Sequence, residues 1–107
     1  MDGLKVSEAG THTGWSPRML RYIGRIGLVV PARTAGGYRR YGLREVNQLR
    51  SLRSLLTRFA IELSDVVFAA RLRRDGSLRE AVDAWLAATE LDALEWEQRK
   101  HERLLAA

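Results

Sequence analysis

Residues 15–22 read Trp15-Ser16-Pro17-Arg18-Met19-Leu20-Arg21-Tyr22, and this stretch decides the fold. A serine hydroxyl can accept from the free N–H groups at a helix start, and a proline at the first helical position has no N–H to leave unsatisfied. Ser16-Pro17 therefore predicts a helix beginning at Pro17. Within it Arg18, Arg21, Tyr22 and Arg25 recur at i, i+3, i+4 and i+7, while Met19, Leu20, Ile23 and Ile26 gather on another face. One face packs; the other presents guanidinium groups and a phenol.

Upstream, residues 4–6 read as a short extended start, and Ser7 is placed to cap a brief helix that runs to about Thr13 and is ended by Gly14. Gly14 and Trp15 leave only a tight connection between the two helices. That spacing is expected of a helix-turn-helix whose second helix enters the DNA major groove, and a plain helical hairpin shares it.

Downstream, Gly27 stops the helix, Leu28-Val29-Val30 reads as a strand, and Ala35-Gly36-Gly37 forms a turn before Tyr38-Arg39-Arg40-Tyr41. The expectation is a β-hairpin with a basic, aromatic return strand. A third helix follows over residues 43–58, where Leu43, Val46, Leu49, Leu52, Leu55 and Leu56 repeat at helical intervals. A fourth covers residues 63–74 and halts at Asp75-Gly76, after which Ser77 and Glu80 make the pattern of a capping box.

Residues 78–105 contain no glycine or proline and are rich in Ala, Leu, Glu and Arg, which predicts one helix about 40 Å long. Ala81, Ala84, Ala88, Leu91, Leu94, Gln98, His101 and Leu105 follow spacings of three and four, as in a coiled-coil seam. The natural partner for such a helix is the same helix of a second copy. Trp85 and Trp96 lie within about 20° of one another around it, where they either pack in a dimer or line an apolar pocket.

Charge is divided along the chain. Residues 1–58 carry eleven basic against three acidic residues, a net +8, and the remainder carries seven against ten, a net −3. A basic half joined to an acidic one suits a polyanion-binding module with a second element of another task, because phosphate contacts dominate nucleic-acid affinity. Hydrophobic residues at 46% and charged residues at 29% describe a globular chain. With no cysteine, disulfides, thiolate metal sites and thiol redox sensing are excluded. His12 and His101 have no ligand constellation around them, so no metal or other cofactor is expected. No paired carboxylates or activated nucleophile suggest an enzyme. No membrane span or signal-peptide pattern is present, so a cytoplasmic protein is expected.

Three motifs in register, Trp15 through Tyr22, then Ile26-Gly27-Leu28-Val29-Val30-Pro31-Ala32-Arg33, then Gly37-Tyr38-Arg39-Arg40-Tyr41, closely resemble those of MerR-family regulators. The resemblance covers roughly residues 4–74. Three positions depart from it: Ile23 stands where a second tyrosine is usual, Gly24 replaces an acidic residue, and Glu62 occupies the usual serine cap before the fourth helix.

The resemblance implies a mainly α fold with a small β-hairpin wing, a winged helix-turn-helix over residues 1–76 followed by a dimerisation helix over residues 77–107. It implies DNA contacts from Ser16, Pro17, Arg18, Arg21, Tyr22 and Arg25 of the recognition helix and from Arg33, Tyr38, Arg39, Arg40 and Tyr41 of the wing. It also implies antiparallel homodimerisation, through Trp85 and the eight seam positions, and promoter bending or untwisting that acts on RNA polymerase. Neither metal-binding cysteines nor a small-molecule ligand domain is evident after the long helix. Two other readings stay open: an excisionase-like architectural DNA-bending factor, and a protein-interaction module tethered to DNA by its basic half.

Overall fold

The computed structural model describes residues 3–106 and orders them as α1 (Val6–Thr13), α2 (Pro17–Arg25), β1 (Ala32–Arg33), β2 (Arg39–Arg40), α3 (Leu43–Phe59), α4 (Leu63–Arg74) and α5 (Gly76–Ala106). The chain is mainly helical, with a small antiparallel hairpin and a long last helix, as the sequence predicts. Its contacts divide it within α4, into one unit up to Val67 and another from Phe68 onward.

Helix α2 forms for the reasons its sequence suggests. Ser16 Oγ accepts from the Met19 N–H at 3.2 Å, and Pro17 opens the first turn. At the other end Gly27 takes a φ of +81°, the Gly27 N–H donates to Gly24 O at 3.2 Å, and the Leu28 N–H reaches back to Ile23 O at 3.2 Å. This pair of bonds is a Schellman closure, which satisfies the last helical carbonyls.

That closure overturns the strand expected at Leu28, Val29 and Val30. Leu28 spends its N–H on closing the helix, and Val29 turns into the core while Val30 is left exposed. Pro31 has no N–H to give, so strand pairing begins only at Ala32. The register is Ala32↔Arg40 and Arg33↔Arg39. Thr34 and Gly37 close the turn, with the Gly37 N–H donating to Thr34 O at 2.9 Å. Beyond β2, Tyr41 forms an isolated antiparallel bridge with Leu4 through two bonds of 2.7 and 2.8 Å, which ties the wing to the chain entering α1.

Two caps differ from expectation. Ser7 lies inside α1 rather than before it, because the Glu8 carboxylate accepts from the Lys5 N–H at 3.0 Å and starts the helix two residues early. The Ser77–Glu80 box is likewise displaced: Asp75 Oδ1 accepts from the Leu78 N–H at 3.1 Å, so α5 begins at Gly76. A carboxylate three residues downstream also opens α3, where Glu45 receives the Gly42 N–H at 3.1 Å, and α4, where Asp65 receives that of Glu62 at 2.8 Å. A carboxylate is also favoured at these places by the positive end of the helix dipole.

The first unit has a core of Ala9, Leu20, Ile23, Val29, Tyr41, Val46, Leu49 and Leu52, with Leu4, Val6, Trp15, Leu28, Leu63 and Val66 packed against it. The inward residues of α2 are those its periodicity indicated: Leu20 and Ile23 are fully buried. In the second unit, α5 runs for 31 residues, about 46 Å at 1.5 Å per residue. Among its described residues none is buried.

Two positions hold the less favourable residue for their backbone. Gly24 sits in the last turn of α2, where an added Cβ would meet Pro31 Cδ at 3.6 Å and Val29 O at 3.7 Å, ordinary contact distances. Ala60 caps α3 in the left-handed region at φ +51°. Gly24→Ala and Ala60→Gly are each expected to stabilise the protein by about 0.5–1 kcal/mol. Thermal unfolding followed by circular dichroism checks both; a fall in Tm for either contradicts the local backbone argument.

Candidate nucleic-acid interface

The outer face of α2 carries Arg18, Arg21, Tyr22 and Arg25, all exposed, with Ser16 and Pro17 exposed at its start. The Arg25 guanidinium lies over the Tyr22 ring, 5.6 Å from its centroid, an arrangement that holds both side chains along the helix. In the wing, Arg33 Nη1 donates to Gly37 O at 2.8 Å, which orients the guanidinium along the turn. Tyr38 is 73% exposed, and Arg39 and Arg40 are half-buried.

Tyr41 is placed differently from the expectation that it reaches DNA. It is 1% exposed and belongs to the core, and its hydroxyl has no hydrogen-bond partner among the described residues. Burial pushes its pKa above the usual phenol value, while the nearby charges of Arg39, Arg21 and Arg33 pull in the opposite direction. Its backbone pairing with Leu4 turns the side chain of this last wing residue inward, whereas Tyr38, at the hairpin tip, faces out.

Arg21 and Arg39 bring the recognition helix and the wing together. They wall two adjacent crevices, one of about 490 Å³ that also takes in Lys5, Ser7 and Arg40, and one of about 270 Å³ that takes in Arg25 and Arg33. Among the described residues no carboxylate lines either. Lys5 and Ser7 were not among the sequence candidates. Nothing in their local spacing marks them, because only the Leu4–Tyr41 bridge brings the start of α1 beside the wing.

Arg50 and Arg53 belong to the basic half of the sequence, but they serve the scaffold. Arg50 Nε donates to His12 O at 2.9 Å, Arg53 Nη1 donates to Gly14 O, and Trp15 Nε1 donates to Leu49 O at 2.9 Å. The two arginines satisfy carbonyls at and just beyond the end of α1, and the indole pins the turn to α3.

On α5, Ala81, Ala84, Trp85, Ala88, Leu91, Leu94, Gln98, His101 and Leu105 are all exposed. Trp96 is exposed as well, with Lys100 Nζ 5.4 Å from its ring centroid. Among the described residues no group of three or more His, Cys, Asp or Glu could hold a metal ion. No helix there is long and apolar enough to cross a membrane.

Two helices joined by a tight turn, the second arginine-bearing and flanked by a basic hairpin, define a winged helix-turn-helix of the DNA-binding type. Residues 4–66 match the family described as MerR HTH family regulatory protein, and the chain belongs to that family of DNA-binding transcription regulators. It is 34% identical over 102 residues to the heat shock protein HspR of Streptomyces coelicolor, covering 95% of this chain and 67% of that one. It is 45% identical over 51 residues to the HTH-type transcriptional regulator HmrR of Sinorhizobium medicae, covering 47% and 35% of the two chains. A heavy metal-dependent transcription regulator of Rhizobium meliloti is 43% identical over a stretch of the same length and coverage. The chain thus spans about two thirds of HspR and about a third of the other two. Its fold is that of a MerR family transcriptional regulator from Listeria monocytogenes, with a TM-score of 0.55 at 24% identity over 95% of this chain and 80% of that one.

Removing the unpartnered hydroxyl with Tyr41→Phe is expected to leave the fold intact and to stabilise it by about 1 kcal/mol, since a buried, unsatisfied polar group is costly. Because the folded-state pKa is raised, the unfolded chain ionises first. Stability tied to the neutral phenol is therefore complete below pH ~10 and declines as the pH climbs further. Urea unfolding between pH 8 and 11 checks this: the gap between Tyr41→Phe and the parent should widen above pH 10.

Proposed function

We propose that the protein acts in the cytoplasm as a homodimer on a pseudo-palindromic promoter operator. The α2 helices of the two protomers enter successive major grooves, and each wing grips flanking backbone. The observation that carries this reading is the convergence of the α2 arginines and the wing arginines at Arg21 and Arg39, beside crevices that no carboxylate lines among the described residues. Of the candidate contacts, Ser16, Pro17, Arg18, Arg21, Tyr22, Arg25, Arg33, Tyr38, Arg39 and Arg40 are accessible to DNA, while Tyr41 supports the wing from below. Bending or untwisting of the operator then realigns promoter elements for RNA polymerase.

Residues 1–76 form the DNA-binding part in this reading, and residues 77–107 the dimerisation part. The pattern of α5 supports an antiparallel pair with Leu91 on the two-fold axis. Equal offsets from Leu91 then place Ala81 opposite His101, Ala84 opposite Gln98 and Ala88 opposite Leu94 of the partner, small against large along the whole seam. A parallel pair sets alanine against alanine at one end and bulky residues against each other at the other end, which packs poorly.

The absence of native cysteine makes the geometry easy to test. Ala84→Cys and Gln98→Cys chains, refolded together and oxidised, are expected to form a mixed disulfide, and neither chain alone a disulfide with itself. Self-linked dimers of each single variant contradict the antiparallel seam.

DNA binding is tested by fluorescence anisotropy at about 0.15 M salt, where weak nonspecific binding is suppressed. A duplex from the protein's own upstream region is expected to bind ~1000-fold or more tightly than a scrambled one. Equal, salt-sensitive binding of both duplexes favours an architectural role, and no binding of either favours an interaction module.

A further inference from the structure

We propose that the exposed face of α3 around Arg50, Arg53 and Arg58 binds a phosphorylated small molecule with a planar ring, of the nucleoside polyphosphate class. The residues that line this site are all different from those of the crevices between α2 and the wing.

Arg50, Arg53, Ser54, Thr57 and Arg58 recur at i, i+3, i+4, i+7 and i+8 of α3, the spacing that apolar residues take on the packed face of a helix. Here that spacing lines a crevice of about 420 Å³ with three guanidinium groups and two hydroxyls, and Thr13 joins it from the end of α1. Among the described residues no carboxylate lines the crevice. Arg50 and Arg53 are held in place: Arg50 Nε donates to His12 O and Arg53 Nη1 to Gly14 O, across 38 and 39 positions of sequence. Each bond uses one N–H and leaves the other donors of the fork for a ligand. Side chains fixed in advance lose less freedom on binding, so more of the contact energy appears as affinity. Neighbouring cations repel one another until an anion sits among them, and the planar fork meets phosphate oxygens bidentately.

The adjoining crevice sets the other half of the ligand. It measures about 410 Å³, shares Arg50, Ser54 and Arg58 with the first, and adds Ser51, Leu55 and Phe59. Phe59 is 58% exposed, and the Arg58 guanidinium lies over its ring, 5.0 Å from the centroid. Inorganic phosphate makes no use of a phenyl ring, and a DNA duplex keeps its bases stacked inside. A free nucleotide uses both crevices, its base stacking on Phe59 while its phosphates reach Arg50 and Arg53. The same two arginines tie the site to the turn that precedes α2.

The test is isothermal titration calorimetry of the full chain at about 0.15 M salt, with ATP, GTP and inorganic pyrophosphate as probes. At least one of the two nucleotides is expected to bind with a Kd of ~100 μM or tighter, and pyrophosphate about 10-fold more weakly. Arg58→Ala, which removes no bond to the turn, is expected to weaken nucleotide and pyrophosphate alike by about 10-fold. Phe59→Ala is expected to weaken the nucleotide by about 10-fold and to leave pyrophosphate unchanged. Arg39→Ala, in the wing, is expected to change neither. Thermal melting verifies that each variant folds, and Phe59→Leu replaces Phe59→Ala should the latter melt early. Absence of nucleotide binding overturns the proposal, and so does binding that Arg39→Ala abolishes and Arg58→Ala spares, since that places the ligand beside the wing. Pyrophosphate binding as tightly as either nucleotide overturns the planar-ring assignment. If Arg58→Ala instead weakens a duplex selected from a random library and lowers its salt slope by about 1, the face belongs to DNA and the proposal is overturned.

Discussion

The position of the recognition helix depends on the bonds that α3 exchanges with the turn between α1 and α2. Trp15 Nε1 donates to Leu49 O, and Arg50 and Arg53 donate to the carbonyls of His12 and Gly14. Bonds involving a charged donor contribute roughly 1.5–3 kcal/mol each and a neutral one about 1 kcal/mol, and here their orientation matters as much as their strength. Three donors from two elements fix the turn in place, so α2 leaves it in one direction. Gly14 is required twice over. Its φ of +80° lies in the left-handed region, and a Cβ there would collide with the Arg53 guanidinium. A side chain at residue 14 would therefore cost the turn its shape and α3 its grip.

A second tie works on the wing. Leu4 and Tyr41 bond across an isolated bridge, so the strand leaving the hairpin is held against the chain entering α1. Tyr41 fills the core below while Arg39 and Arg40 remain half-buried above. Recognition helix and wing are thus fastened to the same small core by different residues, and Arg21 of the one comes to line the same crevices as Arg39 of the other. A lone arginine stripe on a helix is usually only a solvated face. Its juxtaposition with the wing gives it a concave, basic surface that can position a backbone.

What was legible in the sequence follows from how local each cause is. Ser16-Pro17 and Gly27 act within a turn of themselves, and both ends of α2 appear where those residues place them. The division of α2 into packed and exposed faces was legible too, since periodicity alone decides it. The strand expected at Leu28–Val30 failed because β-branched residues favour strands only where their N–H groups are free to pair, and the Schellman closure uses that of Leu28. The serine caps at Ser7 and Ser77 lost to carboxylates at Glu8 and Asp75, which accept from the Lys5 and Leu78 N–H groups with full negative charge and start each helix earlier. Lys5 beside the wing, Tyr41 in the core and Arg50 and Arg53 in the turn were not legible, because each depends on a contact with residues more than thirty positions away.

The long helix poses the opposite problem: its sequence carries more information than an isolated protomer uses. Trp85, Leu91, Leu94, Trp96 and Leu105 all remain more than half exposed, which no soluble helix sustains cheaply without a covering surface. Its charges are also ordered. From Glu80 to Gln98 there are six carboxylates and no cation, and the basic residues Arg99, Lys100 and Arg103 follow. In an antiparallel pair the basic end of one helix meets the acidic beginning of the other, so the charge order favours the same arrangement as the small-against-large seam. The acidic stretch has a further consequence for DNA. It repels phosphate over a Debye length of about 8 Å at physiological salt, which disfavours nonspecific attachment through the long helix and leaves the arginine-lined crevices as the favoured point of approach. The charge order of α5 and the basic face of the first unit therefore act in the same direction, the one turning phosphate away and the other drawing it in.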